Sequence, residues 1–299
     1  MAGARQGTLY KTMPVHRRPR PTIALPPASI DAGAEAADSA ARLQAPGPWL
    51  MMLEGRAPWE WAALLAALPW LRRLPPGDGH PVLVFPGLGA SDITTLPLRH
   101  FLRGCGYTPY PWRQGFNFGP RHGVLDATRA MVAQAAERHR EKVSLIGWSL
   151  GGVYAREIAK EQPGHVRCVI TLGTPFAGHP RATNAWRFYE LVSGQHTDDD
   201  ELLALLREPP PVPTTSIYSK TDGIVAWQCS LNDPAHPLAE NVEVHASHIG
   251  MGMNPLALYA IADRLAQDPA HWRRFDAQGA RRWFFRTTHE GPLAAASGR

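Results

Sequence analysis

The chain is poor in cysteine, with 3 in 299 residues. Cys105, Cys168 and Cys229 are odd in number and form no Cys-x-x-Cys pair. A disulfide framework and a cysteine metal site are therefore not expected. Free thiols point to a reducing compartment and so to a cytoplasmic location. Long apolar runs are missing too. The longest largely apolar stretch runs from Trp59 to Leu71 and contains Pro69, whereas a spanning helix needs about twenty residues. The basic start, Arg17-Arg18-Pro19-Arg20, leads into a Pro- and Ala-rich segment without a continuous apolar core. A secretory leader is not expected from that pattern.

The central region also lacks an excess of positive charge. Residues 1–48 carry 6 Lys/Arg against 3 Asp/Glu, and residues 270–299 carry 6 against 2. Residues 49–269 hold 19 against 21, so the net charge of +5 belongs to the two ends. A nucleic-acid-binding domain would cluster its basic residues on its own surface, and none is expected here. The basic tails read as solvated segments, with contact to an anionic membrane as the alternative.

What is present is organised. Residues 1–48 are Pro-rich, then Ala-rich with few large apolar side chains, the composition of a disordered segment. Residues 49–79 read as a helical extension and a Pro/Gly linker. The stretch Trp59–Leu71 suits an amphipathic or core helix. Its three tryptophans beside Arg72 and Arg73 would also suit a membrane interface. From residue 80 to 269, short β-rich runs alternate with helical periodicity. The runs are Pro81–Phe85, Tyr107–Trp112, Val143–Ile146, Val166–Leu172, Thr214–Tyr218 and Val242–His245. Such alternation predicts a mostly parallel, doubly wound α/β sheet. Residues 176–211 interrupt it with two helical segments around the acidic cluster Asp198–Glu201, and are expected to form a small cap over the site. Residues 270–299 are expected as a basic C-terminal tail.

The chemistry is carried by Gly147-Trp148-Ser149-Leu150-Gly151, set between an apolar run and a helical stretch. Gly-x-Ser-x-Gly at a strand-to-helix turn is a nucleophile elbow. A serine hydroxyl needs a general base, and the base needs an orienting acid. Loops at the same strand ends must supply both. Asp222 follows the Thr214–Tyr218 run, with Asp233 and Asp198–Asp200 as competing acids. His248 follows the Val242–His245 run, with His245 as its rival. Asp222-Gly223 is also a strong turn dipeptide, and the two roles are compatible. Two backbone amides, those of Leu150 and Leu88, are expected to form the oxyanion hole.

These motifs resemble those of the α/β-hydrolase superfamily, in the style of bacterial serine esterases and lipases. The resembling residues are Pro86-Gly87-Leu88-Gly89, Gly147 to Gly152, Leu172-Gly173-Thr174-Pro175, Lys220 to Val225 and Ser247-His248-Ile249-Gly250. Lipases often carry a histidine where this chain has Pro86. The resemblance implies the α/β-hydrolase fold with a cap insert and hydrolysis of carboxylic esters through Ser149, Asp222 and His248, without metal or organic cofactor. The partner would be a small-molecule or lipid ester; peripheral membrane contact is the alternative reading of the basic ends and the tryptophan-rich helix, not of the resemblance. An acyltransferase, or a non-catalytic binding protein that keeps the fold, are the other readings of the same pattern.

Overall fold

A computed structural model describes residues 43–121, 123–193 and 200–287. The sequence expectations for residues 1–42, 194–199 and 288–299 lie outside the described residues.

Among the described residues, seven strands form one sheet: β1 (Pro81–Phe85), β2 (Thr108–Pro111), β3 (Val143–Trp148), β4 (Val166–Leu172), β5 (Thr214–Tyr218), β6 (Ala239–Glu243) and β7 (Arg286–Thr287). Their spatial order is β2-β1-β3-β4-β5-β6-β7. All neighbours are parallel except β7, which runs antiparallel to β6. A parallel sheet must be covered on both faces, and the period-two alternation of its side chains feeds two cores. Val82, Val84, Ile146 and Ile170 join one core with the helices α2 (Ala57–Leu71), α3 (Leu96–Gly104) and α8 (Pro255–Leu265). Leu83, Phe85, Leu145 and Val169 join the other with α4 (Val124–His139) and α5 (Leu150–Glu161). The doubly wound α/β architecture expected from the alternation is thus present.

Three segments depart from the sequence reading. The strand expected at Val242–His245 begins earlier, at Ala239. It is rich in buried polar residues that a hydrophobic pattern excludes. Glu240 meets Arg264 at 3.0 Å and Thr215 at 2.6 Å, and Asn232 and Asn241 bind each other. Pairing of this kind is what makes buried polar groups tolerable. Residues 270–287, expected as part of a tail, belong to the fold. Phe275 and Phe285 are buried and stack edge-on, and β7 closes the sheet. Among the described residues the cap region contains two α-helices, α6 (Trp186–Ser193) and α7 (Asp200–Arg207). Of these, α6 reaches the cavity above Ser149, through Phe188. By contrast α7 ties to α5, where Lys160 Nζ donates to the Leu205 carbonyl at 2.6 Å.

The N-terminal extension consists of α1 (Pro48–Leu53), a short 3-10 turn over Glu54–Arg56, and α2. Its polarity is inverted. Glu54 and Glu60 are buried, while Trp49, Met52, Trp59, Trp61 and Trp70 are exposed.

The helix α5 approaches the strands closely. A Cβ on Gly147 would lie 2.2 Å from the Gly152 Cα, and one on Gly151 would lie 2.4 Å from the Phe85 carbonyl oxygen. Both obstacles are backbone and cannot swing aside. Overpacking usually costs about 1–3 kcal/mol. Gly147→Ala should reach the top of that range, lowering Tm by about 6 °C or more at roughly 2–4 °C per kcal/mol. Gly164, with nothing near its added Cβ, should tolerate alanine within about 0.5 kcal/mol. Thermal unfolding of the two variants checks this, and equal Tm values would contradict the packing described.

Candidate active site

Ser149 sits between the last residue of β3 and the first of α5, with φ 51° and ψ −124°. Positive φ in a residue with a side chain costs on the order of 1–3 kcal/mol and persists where the surroundings enforce it. Here they do: the Ser149 amide donates to the Leu172 carbonyl at 2.8 Å, and the Ser149 carbonyl accepts from Gly152 at 2.9 Å. The turn leaves the serine half-buried at the C-terminal edge of the sheet. The positive end of α5 points toward it, which favours negative charge there.

The sheet brings the other expected residues to the same edge. Asp222 follows β5 and His248 follows β6. His248 Nδ1 lies 2.7 Å from Asp222 Oδ2, and both are buried. Asp222 Oδ1 accepts the amides of Ile224 and Val225 at 2.8 Å each. One carboxylate therefore shapes its own turn and orients the imidazole. Burial disfavours the charged imidazole, but Asp222, through charge and hydrogen bond, together with Glu54 outweighs it, and the His248 pKa is raised above its usual 6.5. Of the rivals, Asp233 serves its own loop, accepting the Ala235 amide at 2.9 Å. His245 is exposed and absent from the cavity lining. Asp198 and Asp199 lie outside the described residues.

Ser149 and His248 line one cavity of about 500 Å³ together with Gly87, Leu88 and Trp148. Most of its wall is apolar: Ile93, Phe188, Ile224, Ile249 and Met253 contribute. Gly87 lies against the serine, since an added Cβ there would be 3.3 Å from the Ser149 Cβ. Among the described residues, neither the Leu88 nor the Leu150 amide takes part in a backbone hydrogen bond. No group of three or more His, Cys, Asp or Glu among the described residues could hold a metal ion.

Several residues that sequence reasoning missed hold this edge together. Buried Asn117, beyond β2, donates to the Pro86 carbonyl at 2.8 Å, and its own carbonyl accepts the Gly89 amide at 2.7 Å. It fixes the loop that carries Leu88. The Trp148 indole donates to the His248 carbonyl at 3.0 Å. From the N-terminal extension, Glu54 and Glu60 bind the backbone of the histidine loop, and Arg56 Nη2 donates to the Thr221 carbonyl at 2.9 Å. Asn254, ahead of Pro255 at the start of α8, accepts the Leu256 amide at 2.9 Å, and such an Asn-Pro start is a local signal. The other contacts had none, because their partners lie far apart in sequence.

A second Ser-His-Asp row occurs at the opposite end of the sheet. His80 Nε2 lies 2.8 Å from Ser144 Oγ, and its Nδ1 contacts Asp78. His80 and Ser144 are both 0% exposed. Burial, the leading influence, lowers the His80 pKa despite Asp78. Ser144 lies inside β3 with no strained turn and no access for a substrate. The row ties the starts of β1 and β3 together. The contrast shows that the residue triplet alone is not a site, and that the elbow and the cavity distinguish Ser149.

A family model for the alpha/beta hydrolase fold matches residues 102–204. No curated protein sequence matches the chain. Among solved structures, lipase B of Aspergillus fumigatus aligns at TM-score 0.50 and 18% identity, over 65% of this chain and 55% of that one. The chain thus spans little more than half the length of that lipase. The Paleococcus ferrophilus monoacylglycerol lipase aligns at 0.46 and 17% identity, over 64% of this chain and 95% of that one. A pyrethroid hydrolase from Sphingobium faniae JZ-2 gives 0.45 and 18%, with coverage of 65% and 100%. At such identities the likeness concerns the fold. Sheet order, strand-to-helix elbow and the family match over about a third of the chain agree, and the chain has the α/β-hydrolase fold.

Proposed function

We propose that the protein is a serine hydrolase of carboxylic esters. The observation that carries this reading is a strained serine sharing an apolar cavity with a histidine hydrogen-bonded to a buried aspartate. Ser149 Oγ attacks the ester carbonyl as its proton passes to His248 Nε2. The resulting oxyanion is held by the Leu88 and Leu150 amides, each worth on the order of 10²–10³ in rate. Collapse expels the alkoxide, which takes the proton from His248. Water then attacks the acyl-enzyme, passing its proton to the same nitrogen, and the acid departs. Asp222 keeps the imidazole in the required tautomer and stabilises its charged form.

The substrate class follows from the wall. Side chains such as Ile93, Phe188, Ile224, Ile249 and Met253 favour an apolar acyl group. The structural likeness to lipase B of Aspergillus fumigatus accords with that preference without specifying it. A fluorophosphonate should add once to the wild-type protein and not to Ser149→Ala, read by intact mass. The kcat/KM on p-nitrophenyl octanoate should exceed that on the acetate. A folded wild type that takes no label would overturn the reading, and activity that peaks at acetate and vanishes by octanoate would overturn the acyl preference.

The N-terminal extension supports contact with an anionic lipid surface. From Pro48 to Trp70 its exposed side chains include four tryptophans and no carboxylate, since Glu54 and Glu60 face inward. Arg72 and Arg73 follow as exposed cations. Tryptophan suits the headgroup boundary, and each nearby basic residue adds about 1 kcal/mol toward an anionic leaflet. No helix among the described residues is long and apolar enough to cross a membrane. Vesicles containing phosphatidylglycerol should sediment the full chain, and a Trp59→Ser/Trp70→Ser variant should bind roughly tenfold less, as expected for a loss of about 1.4 kcal/mol. Equal binding by both proteins, or burial of these tryptophans in a dimer in solution, would remove the idea.

A further inference from the structure

Glu54 is a buried carboxylate, 6% exposed, that the ester chemistry does not use. It arises from the 3-10 turn between α1 and α2, yet its partners are in the two catalytic loops. Oε1 accepts the Gly223 amide at 2.7 Å and the His248 amide at 2.9 Å. Oε2 accepts the Ile249 amide at 2.9 Å. The partners stand 169 to 195 residues away in sequence. Gly223 follows the aspartate, and Ile249 follows the histidine. The two loops leave adjacent parallel strands, and neither contains regular structure at these positions. Their separation is therefore not fixed by the sheet alone. A single carboxylate spanning three of their amides fixes it, because charge-assisted hydrogen bonds are short and strong. The approach to the Asp222 loop is close: an added Cβ on Gly223 would lie 2.2 Å from the Leu50 carbonyl oxygen.

We propose that Glu54 is a positioning residue for the acid–base pair, setting the Asp222–His248 distance from the N-terminal extension by holding both loops on one carboxylate. The inference rests on the ester-hydrolase reading for its kinetic consequences, but not for its geometry. Glu60 provides an internal contrast. It lies on the same extension and is equally buried, and it accepts the Ser247 amide at 2.6 Å and the Asn254 side-chain amide at 3.2 Å. It touches the histidine loop without bridging to the Asp222 loop.

The charged groups facing His248 are Asp222, at its ring, and Glu54, at its backbone. From α2, Glu60 contacts the preceding residue and is paired with Arg56 at 3.2 Å. Glu54 adds to the upward push on the His248 pKa, and Glu60 does not figure among its causes. Removal of the Glu54 charge should therefore ease protonation less and move the imidazole midpoint to lower pH. A residue that merely filled space would leave that midpoint unmoved.

The experiment is an NMR titration of His248 in the full chain for wild type, E54Q and E60Q, beside the pH dependence of kcat/KM on p-nitrophenyl octanoate. Wild type should lose activity as pH falls through a midpoint above 6.5, because the protonated imidazole cannot act as base. E54Q keeps an oxygen for Gly223 and His248 but turns an N–H toward the Ile249 amide. Its imidazole midpoint should fall below that of wild type, and its kcat/KM should drop roughly ten- to hundredfold, as for a displaced catalytic group. E60Q should leave the midpoint where it is. Should E54Q unfold, E54D keeps the charge with a shorter reach: its midpoint should stay near wild type while kcat/KM falls. An unmoved midpoint in E54Q, or a wild-type rate in E54D, would overturn the proposal. A wild type with no esterase activity whose His248 midpoint still shifts in E54Q would overturn the ester reading and leave the role of Glu54 standing.

Discussion

The contact between α5 and the end of β3 is the constraint on which the rest depends. The chain must reverse direction within one residue and then run back along the sheet. Gly147 and Gly152 touch backbone to backbone, and Gly151 lies against the Phe85 carbonyl. Any side chain at these positions would push the helix away and relax the turn. With the helix so close, Ser149 is left in a positive-φ conformation that it would not choose alone. The hydroxyl is thereby lifted above the sheet and set beside the start of α5. The strain is local, and the two cores on either side of β3 hold it in place.

Around that fixed point, the remaining parts are irregular loops, and the protein pins each with a buried polar side chain. Asn117 holds the loop of Leu88, Asp222 shapes its own turn, and the Trp148 indole grips the histidine loop. The N-terminal extension adds Glu54, Arg56 and Glu60 from outside the sheet. Buried groups of this kind are stabilising only when satisfied, and each here has well-formed partners. The cost falls on the outside of the extension. Its carboxylates face inward, so its outer surface is left to tryptophan and methionine. One structural choice thus joins the order of the site to the character of the surface beside it.

The parts of this molecule that were legible in the sequence are those with local signals. The Gly-x-Ser-x-Gly turn, the alternation of β-rich runs with helical periodicity and the Asp222-Gly223 turn each depend on neighbours within a few residues. The sheet needed only those runs in order, since parallel strands with crossover helices leave few alternatives. What was hidden depends on distance. Glu54 reads as one charge in an apolar stretch until its partners, more than 160 residues on, are beside it. The polar strand β6 gives no hydrophobic pattern because Arg264, Thr215 and Asn232 satisfy it from elsewhere. Residues 270–287 look like a basic tail because their arginines outnumber Phe275 and Phe285, whose burial only the fold reveals. The row of Ser144, His80 and Asp78 shows the converse: residue types suited to catalysis can serve packing alone.

The most direct test of the central claim is a crystal structure of the protein after reaction with an alkyl phosphonate ester, which mimics the tetrahedral intermediate. A bond from phosphorus to Ser149 Oγ is expected, with the alkyl chain in the cavity beside Phe188 and Ile224. The phosphonyl oxygen should accept from the Leu88 and Leu150 amides at about 2.7–3.1 Å. An adduct on another residue, or an oxygen turned away from both amides, would contradict it.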